Sequence, residues 1–412
     1  MTGTDRFRTL CVFGTRPEAI KMAPVVSRLA ADPRFDARVC VTGQHREMLA
    51  QVLDVFEITP DRNLDVMRPG QGLHDVTSSV LLGMRDVLEE ERPDVILVHG
   101  DTTTCFAAGL AGFYGSVPVA HVEAGLRTGD MQRPWPEELN RVLVGRLASL
   151  HFAPTEAARG NLLGEGVAGD LVHVTGNTVV DALLDVRRRV EGEPAQAFED
   201  VLGATLAGAL DGALDGALDG GDARVVLVTG HRRESFGQGF ADLCTALART
   251  AAAHPDWHIV YPVHLNPNVK GPVHETLGDI ENVHLIEPLE YRSFVWLMNR
   301  ADAIVTDSGG IQEEGPSLRV PILVTRDVTE RPEAVECGAV KLVGTDPDRI
   351  CSSLDAAMLD EDTRSAMTSG ENPYGDGRAA DRIADHLHQF LVAQYGDRGT
   401  GATVAMDARR AA

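Results

Sequence analysis

Acidic side chains in three segments could carry proton-transfer chemistry. Asp101 lies in GDTTT, Glu123 in HVEAGLRTGD and Glu137 in PWPEELNR. Carboxylates that converge in a pocket can move protons at carbon and can stabilise an oxocarbenium-like centre. For Glu137 the alternative is a first-turn residue that complements a helix dipole. For Asp101 and Glu123 we favour a functional role, because charged groups placed directly after apolar strands must be desolvated at a cost.

The segment DSGGIQEE, residues 307–314, could bind a phosphate-bearing ligand. Ser308, Gly309 and Gly310 form a turn that precedes a predicted helix, and the first N–H groups of that helix could hold a phosphate. Glu314, one turn further, could accept hydrogen bonds from ribose hydroxyls. An ordinary strand-to-helix turn with an Asp or Ser cap is about equally consistent with the pattern.

Two further loops carry cations that could meet a diphosphate. In GTRPEAIK, Arg16 lies in the loop and Lys21 lies one turn inside the predicted helix. In GHRRESFG, His231 follows an apolar strand, and a cationic imidazole there could stabilise a departing phosphate. A lone histidine is more often structural, but the two arginines that follow His231 favour an anion site.

The elements that position these residues form an α/β pattern. Short apolar runs alternate with longer helical patterns, which predicts parallel sheets covered by helices. The predicted strands cover residues 9–13, 37–41, 94–98, 117–121, 171–174, 224–228, 258–262, 283–286, 303–306 and 321–324. Ligands of such sheets bind beyond the carboxyl ends of the strands, where the segments above begin. We therefore predict two Rossmann-like domains that face each other across a cleft.

The domain boundaries follow from changes in composition. Residues 1–190 form the predicted N-terminal domain, and residues 224–372 form the predicted C-terminal domain. Between them, residues 191–223 include the low-complexity stretch LAGALDGALDGALDGG, which we interpret as a linker without chemistry. A C-terminal helix over 373–395 and a disordered tail over 396–412 complete the prediction.

Composition excludes several classes of function. No apolar run reaches the roughly 18 residues of a membrane span, and no apolar signal core opens the chain, so we expect a cytoplasmic protein without membrane contact. The six cysteines lack CxxC pairing and Cys/His clustering, which predicts reduced packing residues and no metal site. The net charge of -23 argues against a nucleic-acid partner.

Taken together, the motifs resemble one family. In chain order they are FGTRPEAIKMAP, TGQHREML, GDTTT, HVEAGLRTGD, PWPEELNR, TGNTVVDAL, GHRRESFG, YPVHLNPNV, TDSGGIQEE, ERPEA and NPYGDG. This set resembles the non-hydrolysing UDP-N-acetylglucosamine 2-epimerases over residues 9–390, with an interruption chiefly at 206–221. The resemblance implies a glycosyltransferase B-type fold, a homodimer, and interconversion of UDP-N-acetylglucosamine and UDP-N-acetylmannosamine without metal or nicotinamide cofactor.

The resemblance also implies roles for individual residues. Asp101, Glu123 and Glu137 correspond to catalytic carboxylates, and His231 corresponds to the histidine beside the leaving phosphate. The positions that match nucleotide-sugar contacts are Arg16, Lys21, Asp101, Glu123, His231, Phe294, Ser308, Gly309, Gly310, Glu314 and Arg331. Gln44 and His264 match places where some relatives bind an activating second substrate molecule. Leu289 departs from the family pattern, in which glutamine often precedes Glu-Tyr at a uracil contact, so we expect altered affinity.

Stereochemistry explains why several carboxylates are needed. In the α-gluco sugar the C2 hydrogen and the C1 oxygen are antiperiplanar, so UDP can leave by anti elimination to a 2-acetamidoglucal. UDP then adds back while a proton reaches the opposite face of C2, which requires two proton carriers. Three alternatives remain: a 2-epimerase of a UDP-2,3-diacetamido uronic acid, a glycosyltransferase of the same fold, and a non-catalytic UDP-sugar sensor.

Overall fold

The computed structural model describes residues 6–43, 46–68, 70–204, 206–208, 210, 224–230 and 237–398. The chain divides into two compact units. The first unit comprises Met1–Ala182 and Tyr374–Ala412, and the second comprises Leu183–Pro373. The first unit thus includes residues from both ends of the chain, whereas the sequence-based division placed the boundaries at 190 and 372.

Within the described residues, the first unit contains a seven-stranded parallel sheet of order β3-β2-β1-β4-β5-β6-β7. Its strands are β1 Phe7–Phe13, β2 Phe35–Val41, β3 Arg62–Asn63, β4 Val95–His99, β5 Val119–Val122, β6 Leu150–Ala153 and β7 Val172–Val174. The central strands β4 and β5 are buried at every residue. Burial on both faces explains why they consist almost entirely of apolar and β-branched residues.

Helices cover this sheet and begin just beyond its strands. They are α1 Arg16–Ala31, α2 Arg46–Val55, α3 Leu73–Glu91, α4 Thr103–Tyr114, α5 Glu137–Leu147, α6 Glu156–Gly164 and α7 Thr178–Val190. Helix α1 starts with Thr15 as its N-cap, and α4 starts with Thr102. Each threonine hydroxyl accepts a hydrogen bond from the backbone N–H three residues later, which fixes the helix start at the strand end.

In the part of the chain that the structure describes, the second unit contains a six-stranded parallel sheet of order β10-β9-β8-β11-β12-β13. Its strands are β8 Arg224–Thr229, β9 Trp257–Pro262, β10 Val283–Ile286, β11 Ala303–Thr306, β12 Ile322–Val324 and β13 Val340–Leu342. The helices are α8 Glu199–Leu202, α9 Gln238–Ala253, α10 Pro267–Leu277, α11 Tyr291–Arg300, α12 Gly309–Glu314, α13 Pro332–Glu336, α14 Pro347–Leu359 and α15 Glu361–Thr368. Trp257, Tyr261 and Trp296 are its largest fully buried side chains.

The C-terminal helix α16, Ala379–Tyr395, packs in the first unit. The Asp181 carboxylate accepts hydrogen bonds from the N–H groups of Ala379 and Ala380 at 3.1 and 2.8 Å, which caps the helix from a distant part of the chain. Arg28 of α1 donates to Asp381 at 2.7 Å. Beyond the helix, Arg398 still pairs with a strand-end aspartate, whereas residues 399–412 of the predicted tail lie outside the described residues.

The prediction of two parallel α/β sheets is confirmed, and each of the ten predicted strands matches an observed strand to within two residues at either end. The three strands without a prediction are β3, β6 and β13, which have two to four residues each. The segment predicted as a linker is packed at its start, because Phe198, Leu202, Leu206 and Leu210 are buried in the second unit. Residues 211–223 of that segment lie outside the described residues.

Candidate active site

The carboxyl ends of β1, β4 and β5 form the edge of the first sheet at which the acidic candidates lie. Glu123 follows β5 directly, and Asp101 lies two residues after β4. Arg16 is the first residue of α1, just beyond β1, and is half-buried. Since β1, β4 and β5 are neighbours in one parallel sheet, their carboxyl ends bring these loops side by side.

Glu18 joins the loop after β1 to the loop after β4. It is 2% exposed, and its carboxylate accepts hydrogen bonds from the N–H groups of Gly14 and Thr15 at 3.0 and 2.8 Å. The hydroxyl of Thr102 donates to its other oxygen at 2.5 Å. Burial raises the pKa of Glu18, although these hydrogen bonds act in the opposite direction. Glu18 was not predicted as a site residue, although the Thr-x-x-Glu pattern of a capping box is visible in the sequence.

Glu123 lies between two basic side chains. Lys21 Nζ donates to Glu123 Oε2 at 2.5 Å, and His99 Nε2 lies 3.5 Å from the same oxygen. Burial alone would raise the pKa of Glu123, but the charge of Lys21 and the His99 imidazole outweigh it and hold that pKa well below the usual range. The backbone of Glu123 has φ +58°, a left-handed conformation that costs free energy in a residue other than glycine.

Asp101 is held by helix α5. Arg141 Nε and Nη2 both lie 2.8 Å from Asp101 Oδ2, and the Asn140 side chain donates to the Asp101 carbonyl at 2.8 Å. Arg141 Nη1 also donates to Glu138 at 3.1 Å. The other oxygen of Glu138 accepts from the backbone N–H groups of Thr128 and the next residue at 2.9 Å each. Helix α5 therefore fixes the loops after β4 and β5 together.

Glu137 and Glu138 are adjacent in sequence but differ in their contacts. Glu138 is 1% exposed and bound as described, whereas Glu137 is half-buried. No hydrogen bond or ion pair joins the Glu137 carboxylate to any residue that the structure describes. Two other charged residues of this stretch act elsewhere, since Arg127 binds Glu165 at 2.7 Å and the exposed Asp130 accepts from a neighbouring backbone N–H.

In the second unit, the loop after β11 matches the predicted strand-turn-helix pattern. Asp307 is 1% exposed, and the Ser308 N–H donates to the Thr306 hydroxyl at 2.9 Å. That hydroxyl lies 2.6 Å from the hydroxyl of Thr229 on the neighbouring strand β8. The Ser308 side chain makes no capping hydrogen bond to α12, and Gly309 and Gly310 are the first residues of that helix.

Helix α12 is tied to the loop that carries Arg331. Arg331 donates to Glu313 at 2.9 Å and to Glu330 at 2.9 Å, and Thr329 donates to Gln312 at 2.5 Å. Arg331, which was predicted to contact the nucleotide sugar, thus forms ion pairs with Glu313 and Glu330 of the protein. Glu314, the residue expected at the ribose, is 8% exposed at the end of α12.

The remaining candidates lie in other elements or outside the described residues. Phe294 is half-buried on α11, and Leu289 is 7% exposed before that helix. His264 is exposed and accepts the N–H of Asn266 through Nδ1 at 3.1 Å. His231 and Gln44 lie outside the described residues.

The described residues also define what kinds of chemistry the chain offers. Among them, no group of three or more His, Cys, Asp or Glu side chains is arranged to hold a metal ion. All six cysteines are free, and burial raises the pKa of Cys11 and of Cys40 to about 12, so both thiols are uncharged at neutral pH. The searched helices contain none that is both long and apolar enough to cross a membrane.

Comparison with known proteins supports one family. Residues 27–388 match the family described as UDP-N-acetylglucosamine 2-epimerase. The enzyme of that name from Escherichia coli K12 is 57% identical over 380 residues, which cover 92% of this chain and 98% of that protein. The crystal structure of UDP-GlcNAc 2-epimerase from Neisseria meningitidis bound to UDP-GlcNAc is similar with a TM-score of 0.81, at 46% identity, and covers 93% of this chain and 100% of that one.

A second solved structure agrees with this. The putative UDP-N-acetylglucosamine 2-epimerase from Listeria monocytogenes has a TM-score of 0.84 at 41% identity and covers 94% of this chain and 97% of its own. The resemblance found in the motifs is therefore confirmed over nearly the whole sequence. This chain belongs to the UDP-N-acetylglucosamine 2-epimerase family.

Proposed function

We propose that this protein interconverts UDP-N-acetylglucosamine and UDP-N-acetylmannosamine by inverting C2 of the sugar. The observation that carries the proposal is the pair of carboxylates at one sheet edge, Glu123 and Asp101, each bound to a basic side chain. Glu123 is largely buried, and a buried carboxylate whose pKa is shifted by a specific charged partner is a candidate functional residue. Family membership and the relative bound to UDP-GlcNAc support the choice of substrate.

The proposed reaction is an elimination followed by re-addition. The C1–O bond breaks and its electron pair leaves with UDP, while the C2 proton passes to a carboxylate and the C–H electrons form the C1=C2 bond. UDP then adds back to C1, and a second group delivers a proton to the opposite face of C2. The two proton carriers come from Asp101, Glu123 and Glu137.

The C2 hydrogen has no adjacent carbonyl, so cleavage of the C1–O bond must run ahead of proton transfer. Charge developing on the phosphate then needs stabilisation, for which we propose His231 and Arg16. The turn at Ser308, Gly309 and Gly310 is the proposed phosphate contact of the second unit, since its backbone is open to close approach. The proposed elimination and re-addition move a proton and UDP but no hydride, so the mechanism gives a nicotinamide cofactor no step to perform.

We further propose that the protein acts in the cytoplasm as a homodimer and supplies precursors of cell-surface polysaccharide or glycan. The dimer proposal rests on α3 and α4, where Leu82, Phe113 and Tyr114 are 56%, 59% and 69% exposed. Exposed apolar clusters of this kind mark interaction surfaces. Arg85 and Glu89 flank the groove of about 1130 Å³ at these helices, so a two-fold related copy could pair opposite charges.

Light scattering of the chromatographically purified protein tests the dimer. The wild-type protein should have twice the mass of the chain, and Leu82→Glu should shift the population toward monomer. A Met131→Glu variant, which changes an exposed apolar residue elsewhere in the first unit, is the matched control and should remain dimeric. A monomeric wild-type protein would contradict the proposal.

Proton NMR of UDP-N-acetylglucosamine with the enzyme in heavy water tests the reaction. The account predicts UDP-N-acetylmannosamine with deuterium at C2, and little free sugar. A glycosyltransferase would leave the C2 hydrogen in place and would need an acceptor. Failure to form the second epimer would contradict the proposed function.

A further inference from the structure

Lys21 makes a contact within the protein that its motif did not suggest. Lys21 lies in GTRPEAIK, where we expected a contact with the diphosphate. In the structure its ammonium group lies 2.5 Å from Glu123 Oε2, between helix α1 and the end of β5. The two side chains are 12% and 10% exposed, so the pair is largely removed from water.

Several titratable groups face Glu123 from the elements packed around it. Lys21 faces it from α1 and His99 from β4, and the thiol of Cys105 acts on the same region from α4. Burial raises the pKa of Cys105 well above its usual value, so the thiol carries no charge. Glu18, which is joined to the loop after β4, is a carboxyl group and supplies no positive charge. Among these described groups, Lys21 supplies the permanent positive charge.

Without that charge, Glu123 would be a buried carboxyl group, and burial favours the neutral form. A neutral carboxyl group cannot accept the C2 proton. The left-handed backbone at Glu123 is a second sign that its position is constrained, because glutamate rarely adopts this conformation without stabilising contacts.

We propose that Lys21 is a positioning residue that keeps Glu123 ionised as a proton acceptor, and that it is not a ligand of the diphosphate. This inference rests on the proposed function, because it assigns Glu123 to the C2 proton. In that step the C2–H bond breaks, the proton passes to a Glu123 oxygen, and the electron pair forms the double bond as UDP leaves. Lys21 remains protonated throughout and donates its hydrogen bond.

The two possible roles of Lys21 predict opposite results for Lys21→Met. If Lys21 serves Glu123, UDP affinity measured by calorimetry should stay within about 3-fold of wild type, while kcat falls by about 100-fold. The acid limb of the kcat/KM profile should move up by about three pH units or more, since Glu123 loses its cation and its burial then favours the neutral form. Lys21→Arg keeps the charge and should restore most of the lost rate.

A double-mutant cycle shows whether Lys21 acts through Glu123. In a Glu123→Gln background, adding Lys21→Met should lower kcat by no more than about 3-fold, because the two residues act as one unit. Arg28→Met is the matched control, since it removes a cation from the same helix that is paired instead with Asp32 and Asp381. That variant should keep the wild-type pH profile.

A loss of UDP affinity of about 10-fold or more in Lys21→Met, with kcat unchanged, would overturn the inference and make Lys21 a diphosphate ligand. An acid limb that stays in place would overturn it as well. Absence of epimerisation by the wild-type protein would instead contradict the proposed function. The UDP titration would then still decide the role of Lys21, because it requires binding and no turnover.

Discussion

The two sheet edges that carry the candidate residues differ in how they handle charge. At the edge of the first unit, Glu123 binds Lys21 and Asp101 binds Arg141, so each carboxylate is paired with a cation from another element. At the β11 edge of the second unit, the turn presents hydroxyls and backbone groups, and Arg331 is paired with Glu313. The first edge therefore holds carboxylates paired with cations, as the proposed proton transfer requires, whereas the second offers backbone groups to the proposed phosphate contact.

The two edges therefore suggest two different tasks, the chemical step and substrate binding, which the sequence motifs alone do not distinguish. Removing a carboxylate of the first edge should affect the chemical step, and blocking the second edge should affect binding. Within the first unit, the same contrast applies to single carboxylates: Glu123 has a cation and a lowered pKa, whereas Asp181 has backbone N–H partners and a raised one. Each part of the comparison can be tested separately.

The largest effect should come from the first edge. Asp101→Asn and Glu123→Gln each remove a charge but keep the shape, so turnover should fall by about 100-fold or more while UDP affinity stays close to wild type. Steady-state kinetics and calorimetry measure the two quantities independently. Near-normal turnover in both variants would refute the assignment of these carboxylates to proton transfer.

Arg141→Met should have the next largest effect. It leaves Asp101 and the buried Glu138 without their shared cation, so kcat should fall by about 10-fold or more and stability by about 1–3 kcal/mol. Thermal unfolding and kinetics check both parts. Arg146→Met, at an exposed position of the same helix, should change neither, and an equal loss there would show that the helix rather than the contact is responsible.

Gly310→Ala tests the second edge. The added methyl group would meet only the Ser308 hydroxyl at 3.8 Å, an ordinary contact, so the variant should fold normally. It should weaken UDP binding by about 10-fold, or about 1.4 kcal/mol, by obstructing close approach of a phosphate, while kcat at saturation changes little. Unchanged affinity would remove this turn from the proposed phosphate site.

Asp181 should have the smallest effect on turnover and UDP binding, because its contribution is to stability alone. Burial raises its pKa from 3.8 to about 6, so the folded state binds a proton more tightly than the unfolded state does. Its contribution is therefore fully present below the unfolded pKa of 3.8 and is lost as the pH rises through about 6, by about 3 kcal/mol at most. Denaturant unfolding across this range should show that the stability of wild type relative to Asp181→Asn falls as the pH rises.

Much of the fold follows from the sequence because the long strands are continuous apolar runs. Strand β6 was missed since LHFA is short and contains a histidine, and β13 since VKL places a lysine in its centre. The burial of Leu206 and Leu210 was not predicted, because these leucines lie among Gly, Ala and Asp repeats. Local composition predicts the burial of such a segment poorly when that burial depends on packing against distant parts of the chain.

The positions of the candidate carboxylates at the sheet edge were predictable from the sequence, but the basic side chains that pair with them were not. Asp101 and Glu123 stand out because they follow apolar strands directly. The pairing of Lys21 with Glu123 joins residues 102 positions apart, and that of Arg141 with Asp101 joins residues 40 apart. Such contacts depend on how helices pack on the sheet, which the pattern of one segment does not contain. Glu18 is the exception, since its capping box is visible within four residues.

Loss of a label from C2 tests most directly whether the first-unit carboxylates move that proton. UDP-N-acetylglucosamine deuterated at C2 is incubated in ordinary water with wild type or Glu123→Gln, and NMR follows the label. The account predicts that wild type releases the deuterium as it forms the second epimer, and that the variant does so at least about 100-fold more slowly. Formation of the epimer with the label retained, or release by the variant at the wild-type rate, would contradict it.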